Sequence, residues 1–172
     1  MPAQKIIEFL NANKVKYATI GHSSAYTAAE VAQSAHIKGE QLAKSVILRS
    51  GDRLLMIVLP ASHRVDLEAL KPVIGAVELE LSSEKEFNEL FPTCEPGALP
   101  PFGKLYGLDL YVADCLARNE LISFCAGTCT ELIQMAYKDF VRLAQPKEIS
   151  AGFVHLGETP PSLKEHRGIR RI

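Results

Sequence analysis

The chain has 172 residues, of which 47% are hydrophobic, enough apolar surface for one domain with a real core. Its 19 basic and 20 acidic residues leave a formal charge of -1, which excludes a global field able to hold nucleic acid non-specifically, so any such contact is local. No apolar run is long enough to span a bilayer, and MPAQKIIEFL has no basic region followed by an apolar core; the expectation is a soluble, cytoplasmic protein without membrane contact.

The elements follow in chain order. AQKIIEFLNAN (3–13) places Ile6, Ile7, Phe9 and Leu10 on one side at helical spacing, and VKYATI (15–20) reads as a strand. Thr27-Ala28-Ala29-Glu30 is a capping box that predicts a short helix. Two β-branched, apolar runs around Ser50-Gly51-Asp52 predict a β-hairpin whose first strand begins at Lys44. DLEALKPVIG predicts a brief helix stopped near Pro72, AVELEL (76–81) a half-buried strand, and Ser83 to Glu86 the cap of a helix through Leu90. CEPGALPPFG (94–103) is a stiff loop, with three prolines beside two glycines, that forms either a structural crossing or a wall of a site. KLYGLDLYVAD (104–114), LISFCAG (121–127) and ELIQMAY (131–137) read as strands, and KDFVRLA as a closing helical turn. The resulting class is α+β: one domain over 1–144, a mixed sheet and short helices, without a regular βαβ repeat. From Gln145 proline, glycine and charge take over, which predicts a C-terminal extension, 145–172, outside the core and basic at its end.

No nucleophile elbow, P-loop or dinucleotide fingerprint is present, and the five histidines are scattered. The four cysteines read as reduced thiols; Cys125-x-x-x-Cys129 has no nearby histidine to complete a metal site, so neither metal nor cofactor is expected. Lys44 stands where a strand starts among residues that otherwise prefer burial. It is either a functional cation or a snorkelling side chain with its stem packed and its ammonium in water.

Lys44-Ser45-Val46 opening a hairpin, TAAEVA, EPGALPPFG, YVAD and FCAGT occur in an order that resembles the YbaK/EbsC family, free-standing relatives of the editing domain inserted in bacterial prolyl-tRNA synthetases. The resemblance covers residues 3 to 143 and implies a partly barrel-like sheet of the prolyl-tRNA synthetase-associated type. It implies an aminoacyl-tRNA deacylase that hydrolyses mischarged tRNA(Pro), carrying a small amino acid such as Ala, Cys or Ser, in trans. Lys44 and Gly97 match its catalytic positions. His22, Thr27, Ala98, Pro101, Asp114, Gly127 and Cys129 match substrate-binding positions. Members acting on alanyl-tRNA(Pro) carry histidine where this chain has Cys129.

By the same resemblance, the partner is the acceptor end of aminoacyl-tRNA, with prolyl-tRNA synthetase as a further partner. An aminoacyl ester is an activated bond, so a positioned water and a polarised carbonyl suffice without a covalent intermediate. Lys44 would meet the terminal phosphate or the developing oxyanion, with Asp114 orienting it, recognising the α-amino group, or simply closing a turn. Cys129 either faces the pocket or packs between strands. Two other readings stay open: a catalytically silent module that binds aminoacyl-tRNA or an adenosine-like ligand, and a cysteine hydrolase using Cys94 or Cys129. Lys164, Arg167, Arg170 and Arg171 of the tail are candidate phosphate contacts.

Overall fold

The computed structural model describes residues 4–22, 27–95, 97–128 and 130–157. The helices are α1 (Gln4–Ala12), α2 (Ala28–Ser34), α3 (Leu67–Ile74), α4 (Glu84–Leu90) and α5 (Tyr137–Ala144). The strands are β1 (Tyr17–Gly21), β2 (Leu42–Ser50), β3 (Arg53–Pro60), β4 (His63–Val65), β5 (Glu80–Leu81), β6 (Asp109–Ala113), β7 (Leu121–Cys125), β8 (Glu131–Ala136), β9 (Lys147–Ile149) and β10 (Phe153–His155).

Eight strands form one mixed sheet in the order β1-β8-β7-β2-β3-β6-β9, with β5 on the side of β2. β3 sits at its centre and explains the uninterrupted apolar run from Leu54 to Pro60. Met56 and Val58 point into the core beneath α1 and α5, while Leu55, Ile57 and Leu59 point to the opposite face, against Leu70 of α3. A strand buried on both faces needs no polar alternation. α1 contributes Ile6 and Leu10, one turn apart and both buried. α2 packs Val31 and Ala32 against Leu42 and Leu132 as a third cluster. Its start is set as the sequence predicts: Thr27 Oγ1 accepts the Glu30 N–H at 3.1 Å.

Several elements differ from the sequence reading. α3 runs through Pro72 to Ile74; Pro72 is exposed, so the missing N–H falls on the solvent side of the helix. The strand expected over 76–81 shrinks to Glu80–Leu81, held against Leu48 and Arg49 of β2, with Val77 90% exposed. Gly103–Tyr106 is a 3-10 turn rather than the start of a strand, and another 3-10 turn, Asp114–Arg118, follows β6.

The extension does not begin at Gln145. β9 adds to β6 in parallel register, Ile149 is buried among Leu48, Leu70 and Ala113, and β10 pairs with β4. Composition hid these short strands, because three residues at a sheet edge carry little apolar signal. Gly152 secures the link: at φ +100°, any Cβ there would lie 2.6 Å from Leu70 Cδ1. The arginine- and lysine-bearing end, 158–172, lies outside the described residues.

Candidate active-site cleft

The site begins as a gap in the sheet. On its outer edge β2 pairs with β7 at Leu42 and Ala43, then with β5 at Leu48 and Arg49, and Ile47 O accepts the Ser82 N–H at 3.0 Å. Among the described residues no strand pairs with that edge at residues 44 to 46. Gly97 and Leu99 stand at this opening, in a cleft whose other lining is Ala28 and Val31 of α2, Leu42 to Ser45 of β2, and Cys125. Its water-accessible volume of about 20 Å³ is close to the minimum for one ordered water, ~10–15 Å³ on the same measure.

Lys44 belongs to the row Leu42, Lys44, Val46, Leu48 on one face of β2. Leu42 packs in the α2 cluster, and Val46 and Leu48 in the α3 cluster, so the lysine interrupts an apolar face at the seam between two clusters. It is half-buried and makes no ion pair among the described residues. Burial pulls its pKa below the ordinary lysine value of 10.5, and no neighbouring carboxylate opposes the shift. An ammonium so placed is an available partner for an anion. Ser45, next to it, has a buried Oγ with no hydrogen-bond partner.

The loop wall is tied by backbone hydrogen bonds. Ala98 N–H donates to Glu95 O at 3.0 Å, closing a four-residue turn in which Gly97 has φ +81°. That left-handed value favours glycine, and the absent Cβ keeps the wall low. Gly127 N–H donates to Ala98 O at 2.7 Å, and Glu95 N–H donates to Gly127 O at 2.9 Å, so the turn after β7 latches the loop from both sides. Ala98, Pro100 and Pro101 are buried behind it, and Phe102 is a core residue between Phe9, Phe124 and Phe140. Thr128, just after the latch, also buries a hydroxyl without a partner.

The structure thus brings Lys44 and Gly97 into one cleft, with Ala98 and Gly127 joined directly behind the wall. Pro101 lies buried beyond them. Thr27 caps α2, two of whose residues line the cleft, without lining it itself. His22 follows β1, its backbone N–H donating to Thr130 O at 2.8 Å, and is outside the lining. Asp114 also stands outside it; its charge acts on Tyr137, whose phenol is pushed up to about 12, first by burial and then by Glu148 and Asp114. Cys129 and Pro96 lie outside the described residues.

Reading by motif missed Ser45 and Cys125 as lining residues. A serine at an inward strand position between Ala43 and Ile47 was the available signal for the first. Cys94 is half-buried, and burial raises its thiol pKa, which disfavours the thiolate that a cysteine nucleophile needs.

The fold is therefore a single mixed α/β domain whose sheet opens at β2 into a narrow cleft of mostly apolar lining, which among the described residues carries one lysine without an ion pair. The chain belongs to the aminoacyl-tRNA editing domain family, whose profile matches residues 22–143. Proline--tRNA ligase of Bacillus cereus (strain AH187) is 28% identical over 102 residues, 59% of this chain and 18% of the ligase. Proline--tRNA ligase 1 of Bacillus thuringiensis subsp. konkukian (strain 97-27) matches to the same extent, so the match occupies less than a fifth of these relatives' length. Among solved structures, a candidate trans-editing enzyme for prolyl tRNA synthetase superposes with a TM-score of 0.74 at 20% identity, covering 87% of this chain and 95% of that one. A hypothetical protein superposes at 0.76 with 19% identity, over 86% and 99%. These two superpositions establish the fold, and β9 and β10 lie beyond the family match.

Proposed function

We propose that this protein is a trans-acting deacylase, which removes a small amino acid such as alanine, cysteine or serine from mischarged tRNA(Pro). The observation that carries the reading is the meeting of Lys44, Ser45 and the Gly97 turn at one gap of the sheet, within a chain of the editing family.

The chemistry follows from what the cleft offers. The 3′ end enters with its ester carbonyl against the Gly97 turn, where the missing Cβ allows close approach. Backbone dipoles of the latched loop polarise the carbonyl, and the latch keeps them fixed, so little reorganisation is needed as charge develops. A water held in the cleft attacks the carbonyl carbon, assisted by the free hydroxyl of the terminal ribose; the acyl C–O bond breaks and the 3′ oxygen leaves protonated. Lys44 meets the terminal phosphate or the oxyanion, and the orphaned Ser45 Oγ supplies a hydrogen bond to the water or the α-amino group.

Selectivity is steric: a small pocket rejects a larger side chain but not a smaller one, so correctly charged prolyl-tRNA is spared by bulk. Cys125 lines the pocket, and Cys129 is proposed as a second determinant of which small residue enters. The test is a deacylation panel of alanyl-, cysteinyl-, seryl- and prolyl-tRNA(Pro) with wild type and Lys44→Ala. Hydrolysis of one or more of the first three, lost in the variant, is expected; inactivity of wild type on all four would overturn the reading in favour of a binding module.

A further inference from the structure

At the end of the sheet where β8 runs into α5, a second feature is built from charge. The open groove between β1, β8 and α5 is lined by Lys14, Lys16, Lys138 and Arg142, against Glu120 and Asp139. Asp139 is taken by Arg142 at 3.4 Å. Lys14, Lys16 and Lys138 are exposed and make no ion pair among the described residues. In a chain of formal charge -1, three unpaired ammonium groups along one groove form a local positive field.

The register connects this groove to the cleft. Ala18 faces Gln134, Gln134 faces Ser123, and Ser123 lies level with Leu42, so one row crosses β1, β8, β7 and β2 on a single face. Gln134 Nε2 donates to Ser123 Oγ at 3.4 Å along this row. Lys44 is the next residue on that face of β2, about 7 Å beyond Leu42, and Ala18 stands about 14 Å away across three strand spacings. The α2 cluster rises between groove and cleft, packing on Ile20, Leu132 and Leu42. A polyanion with one end in the cleft reaches the three lysines by passing around α2.

We propose that this groove holds the phosphodiester backbone of the same RNA whose 3′ end enters the cleft. The inference rests on the deacylase reading for the position of that end, and it assigns the RNA-binding surface to the folded core. Phosphate is the chemistry that suits it: three point charges on flexible stems, free to follow a backbone without reading bases.

The test uses the full chain and the variant Lys14→Gln/Lys16→Gln/Lys138→Gln, whose exposed substitutions leave the melting temperature in place. Binding of uncharged tRNA(Pro) is measured between 50 and 200 mM salt. With roughly 0.7 to 0.9 of slope per phosphate contact, loss of the three lysines is expected to flatten log K against log salt by about two to three. On the catalytic side, KM for alanyl-tRNA(Pro) is expected to rise at least tenfold, while hydrolysis of alanyl-adenosine, too short to reach the groove, changes less than twofold. An unchanged salt slope, equal losses on both substrates, or a wild type that binds no tRNA would overturn the groove. The two readings fail separately. A wild type that hydrolyses neither ester, yet loses its salt slope with the three lysines, retains the groove without the deacylase; one that hydrolyses both with an unchanged slope retains the deacylase without the groove.

Discussion

The Gly127 amide donates to the Ala98 carbonyl at 2.7 Å, and this bond, with its return from Glu95 to Gly127, makes one unit of a loop and a turn distant in sequence. The wall of the cleft is therefore held by tertiary pairing as well as by its prolines. Disturbing the Gly97 turn should affect catalysis more than folding. Gly97→Ala places a Cβ at φ +81° and costs about 1–2 kcal/mol, which a thermal melt would read as a drop of a few degrees. The expected loss in kcat is larger, at least 30-fold; a loss no greater than the fraction unfolded would place the turn outside the chemistry.

Lys44→Met keeps the length and apolar stem of the side chain and removes a charge that burial disfavours. Deacylation is expected to fall at least 100-fold with no decrease in melting temperature. The pH dependence has a definite sign. Because the folded-state pKa lies below 10.5, the unfolded chain binds the proton more tightly, and the destabilisation from Lys44 is present at neutral pH. It is relieved as pH rises from the folded value towards 10.5, so the stability advantage of Lys44→Met should be larger at pH 7 than at pH 10. In wild type, the alkaline limb of kcat/KM should fall with a midpoint below 10.5. A limb absent up to pH 10.5 would remove the requirement for a charged Lys44.

Ser45→Ala separates stability from function at the neighbouring residue. The buried Oγ has no partner, and its removal should leave the protein equally stable or about 1 kcal/mol more stable in denaturant titration. Hydrolysis should slow about tenfold, through the lost hydrogen bond to water or substrate. A more stable variant with unaltered turnover would make Ser45 a structural residue only.

Cys125 tests pocket size. Cys125→Ala widens the cleft without adding a polar group, and is expected to raise seryl- and cysteinyl-tRNA hydrolysis relative to alanyl-tRNA; Cys125→Leu should suppress all three. Cys94→Ala, by contrast, should leave the rates within about twofold, because that thiol is disfavoured as a thiolate by its burial. Loss of activity in Cys94→Ala, with the melt unchanged, would reinstate a cysteine mechanism.

The segment after α5 supports the fold. Ile149→Ala should destabilise by about 2–4 kcal/mol, since Ile149 is only 5% exposed and packs against Leu70 and Ala113. Gly152→Ala should be at least as damaging, because the new methyl meets Leu70. Melting temperatures within 2 °C of wild type for both would return β9 and β10 to a dispensable extension.

Local chemistry in the sequence determined the elements that depend on neighbouring residues: the capped α2, the β2–β3 hairpin, the apolar face of α1, and the order of segments that marks the family. It also singled out Lys44 as a cation out of place in an apolar strand, and CEPGALPPFG as a loop of rigid shape. Tertiary structure decided where those features come together. That β2 loses its neighbour between β7 and β5 is a fact of pairing between strands far apart in the chain, and no periodicity within one segment encodes it. The same holds for the Gly127 to Ala98 latch, the orphaned Ser45 hydroxyl, the docking of β9 and β10, and the groove that Lys14, Lys16 and Lys138 share. Short-range propensity acts over a few residues; burial, register and the absence of a partner are settled only when the whole sheet is assembled.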